Sequence, residues 1–386
     1  MNDTSTIYAD YQATTPLDPR VRDRMAPFWN ESFGNPHSSG HIVGWQAHLA
    51  VDAAASSVAA LIGADPDEIV FTSGATEANN LALFGPAFRA PRGRRRILVS
   101  AIEHKCTLSA SQAIAKRMGF SVESIPVNPE GLLDLAAFQS ALGDDVLLAS
   151  IMAVNNEVGT IQDLPRVSGL LAPHGILLHC DAAQAPCAVN TKTFASHADF
   201  ISLSAHKMYG PQGIGALYIR RELQERIEPL IYGGDQQKGL RSGTLPLPLC
   251  VGMGVAAELA ANGEADSERK RIGNQRDEFV RQIENGNPCV SLNGPGPSRR
   301  HPGNANLKFV GHEAEEILGA LQPKLAASTG SACTTGMPEL SHVLLALGLS
   351  TDECDASIRF SFGRFTTDDD VKSAADLVLR ALQDGS

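Results

Sequence analysis

The chain has 386 residues, 43% of them apolar, and its 43 Asp and Glu against 32 Lys and Arg give a formal net charge of −11. That length supports one large and one smaller domain, and the acidic balance excludes a protein built mainly to bind nucleic acid, because phosphate contacts need clustered Lys and Arg. No apolar stretch reaches the roughly 20 residues of a membrane span, and residues 1–9 lack the layout of a signal peptide, so a cytoplasmic protein with no membrane contact is expected.

Short β-branched runs alternate with longer helical patterns from about residue 65 to 260. Strands are expected at 68–72, 96–100, 146–151, 176–180, 200–204 and 214–219, and helices at 76–84, 108–118, 134–142 and 164–172. The pattern is α/β, a mostly parallel sheet with helices on both faces. The basic run Arg92 to Arg96 reads as a solvated turn before a strand. One long helical stretch is expected from about Pro246 to Ile283. The segment Asn285 to Gly303, rich in Pro, Gly and Asn, reads as a loop of a second domain. Residues 13–260 are assigned to the large domain, and 1–12 with 261–386 to a smaller α+β domain.

In an open α/β sheet, ligands sit beyond the carboxyl ends of the strands, and the unusual polar residues fall there. Thr72-Ser-Gly-Ala-Thr-Glu-Ala-Asn-Asn follows a strand and opens a helix, so the N–H groups of Ala75 and Thr76 are candidates for an anion; an ordinary Ser/Thr cap fits the same residues. His104 follows the strand that ends at Ser100 and suits stacking on a flat ring and proton transfer, although surface histidines also occur at strand ends. Asp181 follows an apolar strand, where a carboxylate is costly without a partner. A pyridinium nitrogen is such a partner, and Gln184 lies three residues on. Ser204-Ala-His206-Lys207 ends another strand ahead of a Gly- and Pro-rich turn, which places a lysine beside donors suited to a phosphate. That lysine is a candidate for a Schiff base to pyridoxal 5′-phosphate.

The seven cysteines are Cys106, Cys180, Cys187, Cys250, Cys289, Cys333 and Cys354. They form no Cys-x-x-Cys pair, so neither a disulfide framework nor a metal site is expected. Cys333 stands out, because Ser328-Thr-Gly-Ser-Ala-Cys-Thr-Thr-Gly-Met-Pro flanks it with glycines and small hydroxyl residues, the composition of a loop.

With Tyr8-Ala-Asp-Tyr-Gln-Ala-Thr-Thr-Pro, Gly34-Asn35-Pro36-His37-Ser38, Asn155-Asn156-Glu-Val-Gly-Thr, Arg241-Ser-Gly-Thr244 and Ile358-Arg359-Phe-Ser-Phe-Gly, these motifs resemble, nearly end to end, the cysteine desulfurases of the class V aminotransferase family. The resemblance implies a fold-type I pyridoxal-phosphate enzyme acting as a homodimer. It implies that Ala75, Thr76, Ser204 and His206 hold the cofactor phosphate, with Thr244 entering from the partner subunit, and that His104, Asn156, Asp181 and Gln184 contact the ring. Lys207 would carry the cofactor, Asn35 and Arg359 would hold the carboxylate of L-cysteine, and Cys333 would take its sulfur as a persulfide for a sulfur-acceptor protein. An aminotransferase or a selenocysteine lyase of the same family is the alternative; a transaminase has no use for the Cys333 segment.

Two departures stand out. Cys106 occupies a position where the family usually has a small residue, and Tyr232-Gly-Gly-Asp-Gln-Gln-Lys differs from the family's usual Gly-Gly-Gly run. The chain ends about twenty residues after Phe365-Thr-Thr, short of the extension that docks the iron–sulfur scaffold in housekeeping members. A dedicated acceptor is therefore expected, in iron–sulfur assembly, tRNA thiolation or DNA phosphorothioation.

Overall fold

Continuous apolar runs become the central strands, because a strand covered on both faces has no solvent side to mark with polar residues. The computed structural model describes residues 6–330 and 340–384. After a two-residue strand Ile7–Tyr8 (β1), the strands Ile69–Thr72 (β2), Arg96–Ser100 (β3), Ser121–Ile125 (β4), Val146–Ser150 (β5), Leu177–Asp181 (β6), Phe200–Ser204 (β7) and Gly215–Ile219 (β8) follow. The last seven form one sheet in the order β2-β8-β7-β6-β5-β3-β4. Strands β3 to β7 pair in parallel, while β8 runs antiparallel to both of its neighbours. Strands β5, β7 and β8 are buried throughout. The edge strand β4 escaped the sequence reading because Ser121-Val-Glu-Ser-Ile is half polar, as an edge that must discourage further pairing can be.

Helices Ala75–Phe88 and Lys105–Met118 pack on one face through Leu81, Leu83 and Ile114. Ala-rich helices Ile42–Ile62 and Leu247–Ala261 pack on the other through Ala54, Val58 and Val255. The single helix expected from Pro246 to Ile283 is two, Leu247–Ala261 and Ala265–Gly286. Asn262 adopts extended backbone there, and its side chain accepts from the Glu264 N–H, a local bond that competes with helix continuation.

The expected loop 285–303 contains a strand, Val290–Leu292 (β9), which pairs with Asn304–Phe309 (β10). Leu325–Ala326 (β11) lies parallel to β1, and Ser357–Ser361 (β12) completes a three-stranded antiparallel sheet with β10 and β9. Phe279, Phe309, Phe360 and Phe362 fill a second core between that sheet and the helices Ala265–Gly286 and Asp368–Asp384. The basic run is more than a solvated turn: Arg94 donates to the carbonyls of Val146, His174 and Gly175, and Arg96 pairs with Asp145 and Glu123. Among the described residues no helix is long and apolar enough to cross a membrane.

Candidate active site

Parallel strands end on the same side of the sheet, so the residues just beyond β5, β6 and β7 share one edge. A cavity of about 790 Å³ opens there, lined by Ala75, Thr76, His104, Asn156, Asp181, Gln184, Ser204, His206, Lys207 and Arg359. These residues are spread over nearly three hundred positions of sequence.

The first wall is a helix N-terminus. Helix Ala75–Phe88 begins at Gly74, whose φ of 154° is unfavourable for a side chain and which supplies no side-chain cap, whereas the helices Leu135–Ala141 and Leu164–Leu171 are capped by Asp134 and Asp163. The first N–H groups, including those of Ala75 and Thr76, are therefore open to an anion. Strand β8 presses close behind: a Cβ on Gly215 would lie 2.6 Å from Gly74 Cα. Glu77, in the first turn, is held by Arg241 at 2.8 Å. Ser204 and His206 line the same cavity; His206 Nδ1 lies 3.0 Å from Thr14 Oγ1, and burial lowers its pKa to about 4, so it is neutral.

Asp181 closes β6. One of its oxygens accepts from Asn79 Nδ2 at 2.7 Å and the other from the Ala183 N–H at 3.0 Å, and it enters no ion pair among the described residues. A carboxylate only 5% exposed with no cationic partner is expensive, so the arrangement suits an incoming cation. Two residues earlier, His179 bridges Ser150 and Ser202 at 2.7 and 3.0 Å and ties β5, β6 and β7 together beneath the site. Glu103, fully buried beside His104, accepts from the Met152 N–H, and burial raises its carboxyl well above the usual carboxylate range.

Lys207 follows β7 in a short 3₁₀ turn, and its Nζ donates to the carbonyls of Gln12 and Ala13 at 2.6 and 2.7 Å. Burial, reinforced by the Arg359 charge, brings its pKa down to about 8. Gln184 donates to the same Gln12 carbonyl at 2.8 Å. The N-terminal motif thus supplies the backbone that holds the lysine. Nothing in residue type marks Gln12 and Ala13 for this role, because it falls to their backbone carbonyls.

Arg359, on β12, is 3% exposed. Its Nη1 donates to the Asn156 carbonyl at 2.7 Å, and its Nη2 to Asp10 at 2.6 Å and Ser328 at 2.9 Å. Its Nε is buried, with no partner among the described residues. Asn35 is not brought to the cavity: it is exposed, and its side-chain oxygen accepts from the His37 N–H at 2.9 Å. Thr244 is exposed and lies outside the cavity lining of its own chain. Cys333 lies outside the described residues, although Gly330 and His342 on either side of its segment line the cavity.

The Aminotransferase class-V family model matches residues 7–373. The cysteine desulfurase IscS of Rickettsia felis is 45% identical over 372 residues, 96% of this chain and 90% of that protein. Among solved structures, a NifS-like protein superimposes with a TM-score of 0.91 at 32% identity, covering 98% of this chain and 100% of its own. SspA, solved in complex with cysteine, gives 0.81 at 35% identity over 93% of this chain and 99% of its own. The chain belongs to the class-V aminotransferase family, where it stands with the cysteine desulfurases.

Proposed function

We propose that this protein is a pyridoxal-phosphate-dependent cysteine desulfurase that converts L-cysteine to L-alanine and passes the sulfur through Cys333 to an acceptor protein in the cytoplasm. One observation carries the reading: a buried lysine with a depressed pKa, a buried aspartate without a cation and an uncapped helix N-terminus share one cavity. These three features match the aldehyde, the ring nitrogen and the phosphate of pyridoxal 5′-phosphate. When bound, that group supplies a carbonyl that condenses with amines and a sink for the electrons of a broken Cα–H bond.

The residues divide the work. Ala75, Thr76, Ser204 and His206 hold the phosphate, and Asp181 keeps the ring nitrogen protonated. Asn156 and Gln184 orient the ring, and His104 moves protons beside it. Lys207 carries the cofactor and, once displaced by substrate, removes the Cα proton with an amine whose lowered pKa leaves part of it neutral at pH 7. Arg359, which lines the cavity, receives the substrate carboxylate; Asn35 joins it only if its segment moves. The Cβ–S bond breaks as the Cys333 thiolate bonds the sulfur, leaving its electron pair on Cβ; Cβ takes one proton and Cα regains the one it lost, which completes alanine.

The decisive assay follows alanine and sulfide from L-cysteine with and without a thiol reductant. Alanine is expected in both cases, with sulfide released only when reductant frees it from the enzyme. Amino-group transfer to a keto acid without sulfur release would replace this reading with an aminotransferase.

The working unit is a homodimer. Ile42, Trp45 and Leu49 share one face of the helix Ile42–Ile62 and are 57%, 51% and 67% exposed, and Trp29 and Phe33 before it are 58% and 63% exposed. Apolar groups of that size on a single chain favour a covering surface. Exposed Thr244 then completes the phosphate site of the neighbouring subunit. Sedimentation under assay conditions should give a dimer, and a fully active monomer would remove the proposal.

A further inference from the structure

Cys106 stands in the first turn of the helix Lys105–Met118 and lines the cavity, yet the reaction above gives it nothing to do. Its sulfur lies 3.0 Å from His104 Nδ1. Asn79 Nδ2 approaches the same sulfur at 3.2 Å while donating to Asp181 at 2.7 Å. The Cys106 backbone N–H also donates to His104 Nδ1, at 3.2 Å.

These contacts constrain the direction of the bonds at His104 Nδ1. A backbone N–H can only donate, so Nδ1 must present its lone pair, and the proton of the neutral ring must sit on Nε2. The Asn79 amide nitrogen likewise only donates, so the sulfur accepts from it and keeps its own hydrogen to give. Nδ1, at 3.0 Å, is the ring acceptor beside it, and the hydroxyls of Thr76 and Thr107 also face the sulfur. We infer that Cys106 is a positioning residue for His104: its thiol donates to Nδ1 and, together with its own backbone N–H, holds the imidazole as the Nε2–H tautomer.

A proton relay through the same atoms is the rival arrangement. In it, Nε2–H gives its proton to the substrate, the S–H proton moves to Nδ1, and Cys106 is left as a thiolate. Burial and the nearby Asp181 carboxylate raise the Cys106 thiol pKa, which disfavours that thiolate and keeps the hydrogen on sulfur. Cys106 therefore orients His104 and does not exchange protons with it.

The inference rests on the proposed place of His104 at the cofactor, and its test has a readout that does not depend on turnover. Long-range proton–nitrogen spectra of ¹⁵N-histidine-labelled protein, with and without cofactor and assigned by His104→Gln, report the tautomer. The unmodified chain should show His104 as Nε2–H alone. Cys106→Ala should move its two ring nitrogens toward averaged shifts and lower kcat by about two- to tenfold, the effect of one lost hydrogen bond, with KM unchanged. Cys106→Ser, which keeps a donor, should restore both. An unmodified ¹⁵N pattern in Cys106→Ala, an altered pattern with unchanged kcat, or a serine variant that behaves like the alanine variant would each overturn the inference. If the unmodified enzyme makes no alanine from cysteine, the functional reading falls instead, and the ¹⁵N pattern still decides the Cys106 contact.

Discussion

Lys207→Ala should lose covalent cofactor attachment and lower alanine formation by a factor on the order of a thousand or more, because the same amine is proposed both as anchor and as base. The setting of Lys207 explains why another lysine should not substitute. Its Nζ is buried against the Gln12 and Ala13 carbonyls, and its pKa is lowered to about 8. At pH 7 that leaves about a tenth of the amine neutral, against roughly one part in 2,500 for an ordinary lysine. Attachment of pyridoxal phosphate to cofactor-free protein should therefore accelerate as pH rises through about 8 and level off above it. Borohydride reduction followed by peptide mass spectrometry locates the bond, and cofactor on a lysine other than Lys207 would refute the assignment.

The parts of this site that were legible in sequence are those where chemistry contradicts local context. Asp181 and Lys207 are charged residues at the ends of apolar strands, and such residues need a reason to be there. The strands themselves were legible because β5, β7 and β8 are buried throughout and are mostly apolar, with only serines breaking the runs of β5 and β7. What escaped was whatever depends on long-range approach. Arg94 and Arg96 read as a solvated turn because nothing local shows that the carbonyls at 146, 174 and 175 or the carboxylates of Glu123 and Asp145 would come to meet them. The Asp10–Arg359 pair joins residues 349 positions apart, and Asn79 reaches Asp181 across 102. Their motifs were visible, but the bonds between them were not. Asn35 shows the opposite limit, since its motif resembles the family's while the described chain turns its side chain to His37 and away from the cavity.

Cys333→Ser should separate the two halves of the reaction. The residues proposed to hold the cofactor and the substrate carboxylate are all elsewhere, so this variant should bind pyridoxal phosphate and L-cysteine normally. It should nevertheless pass on no sulfur, a loss on the order of a thousandfold or more, because an alcohol does not replace a thiolate as the group that attacks sulfur. The described cysteines offer no better candidate. Cys180 and Cys250 are fully buried. Burial pushes Cys187 up to about 12 and Cys354 up to about 11. Cys289 is exposed but lies outside the cavity lining. Cys106 lines the cavity, but its raised pKa and its place between Asn79 and His104 make it a poor thiolate. Cys333 lies outside the described residues; before its segment, Ser328 pairs through its backbone with Arg359 and Gly330 lines the cavity. Incubating the variant with labelled L-cysteine and mapping the persulfide by mass spectrometry makes the test, and a normal yield of persulfide would move the role to another thiol, with Cys106 the first to replace.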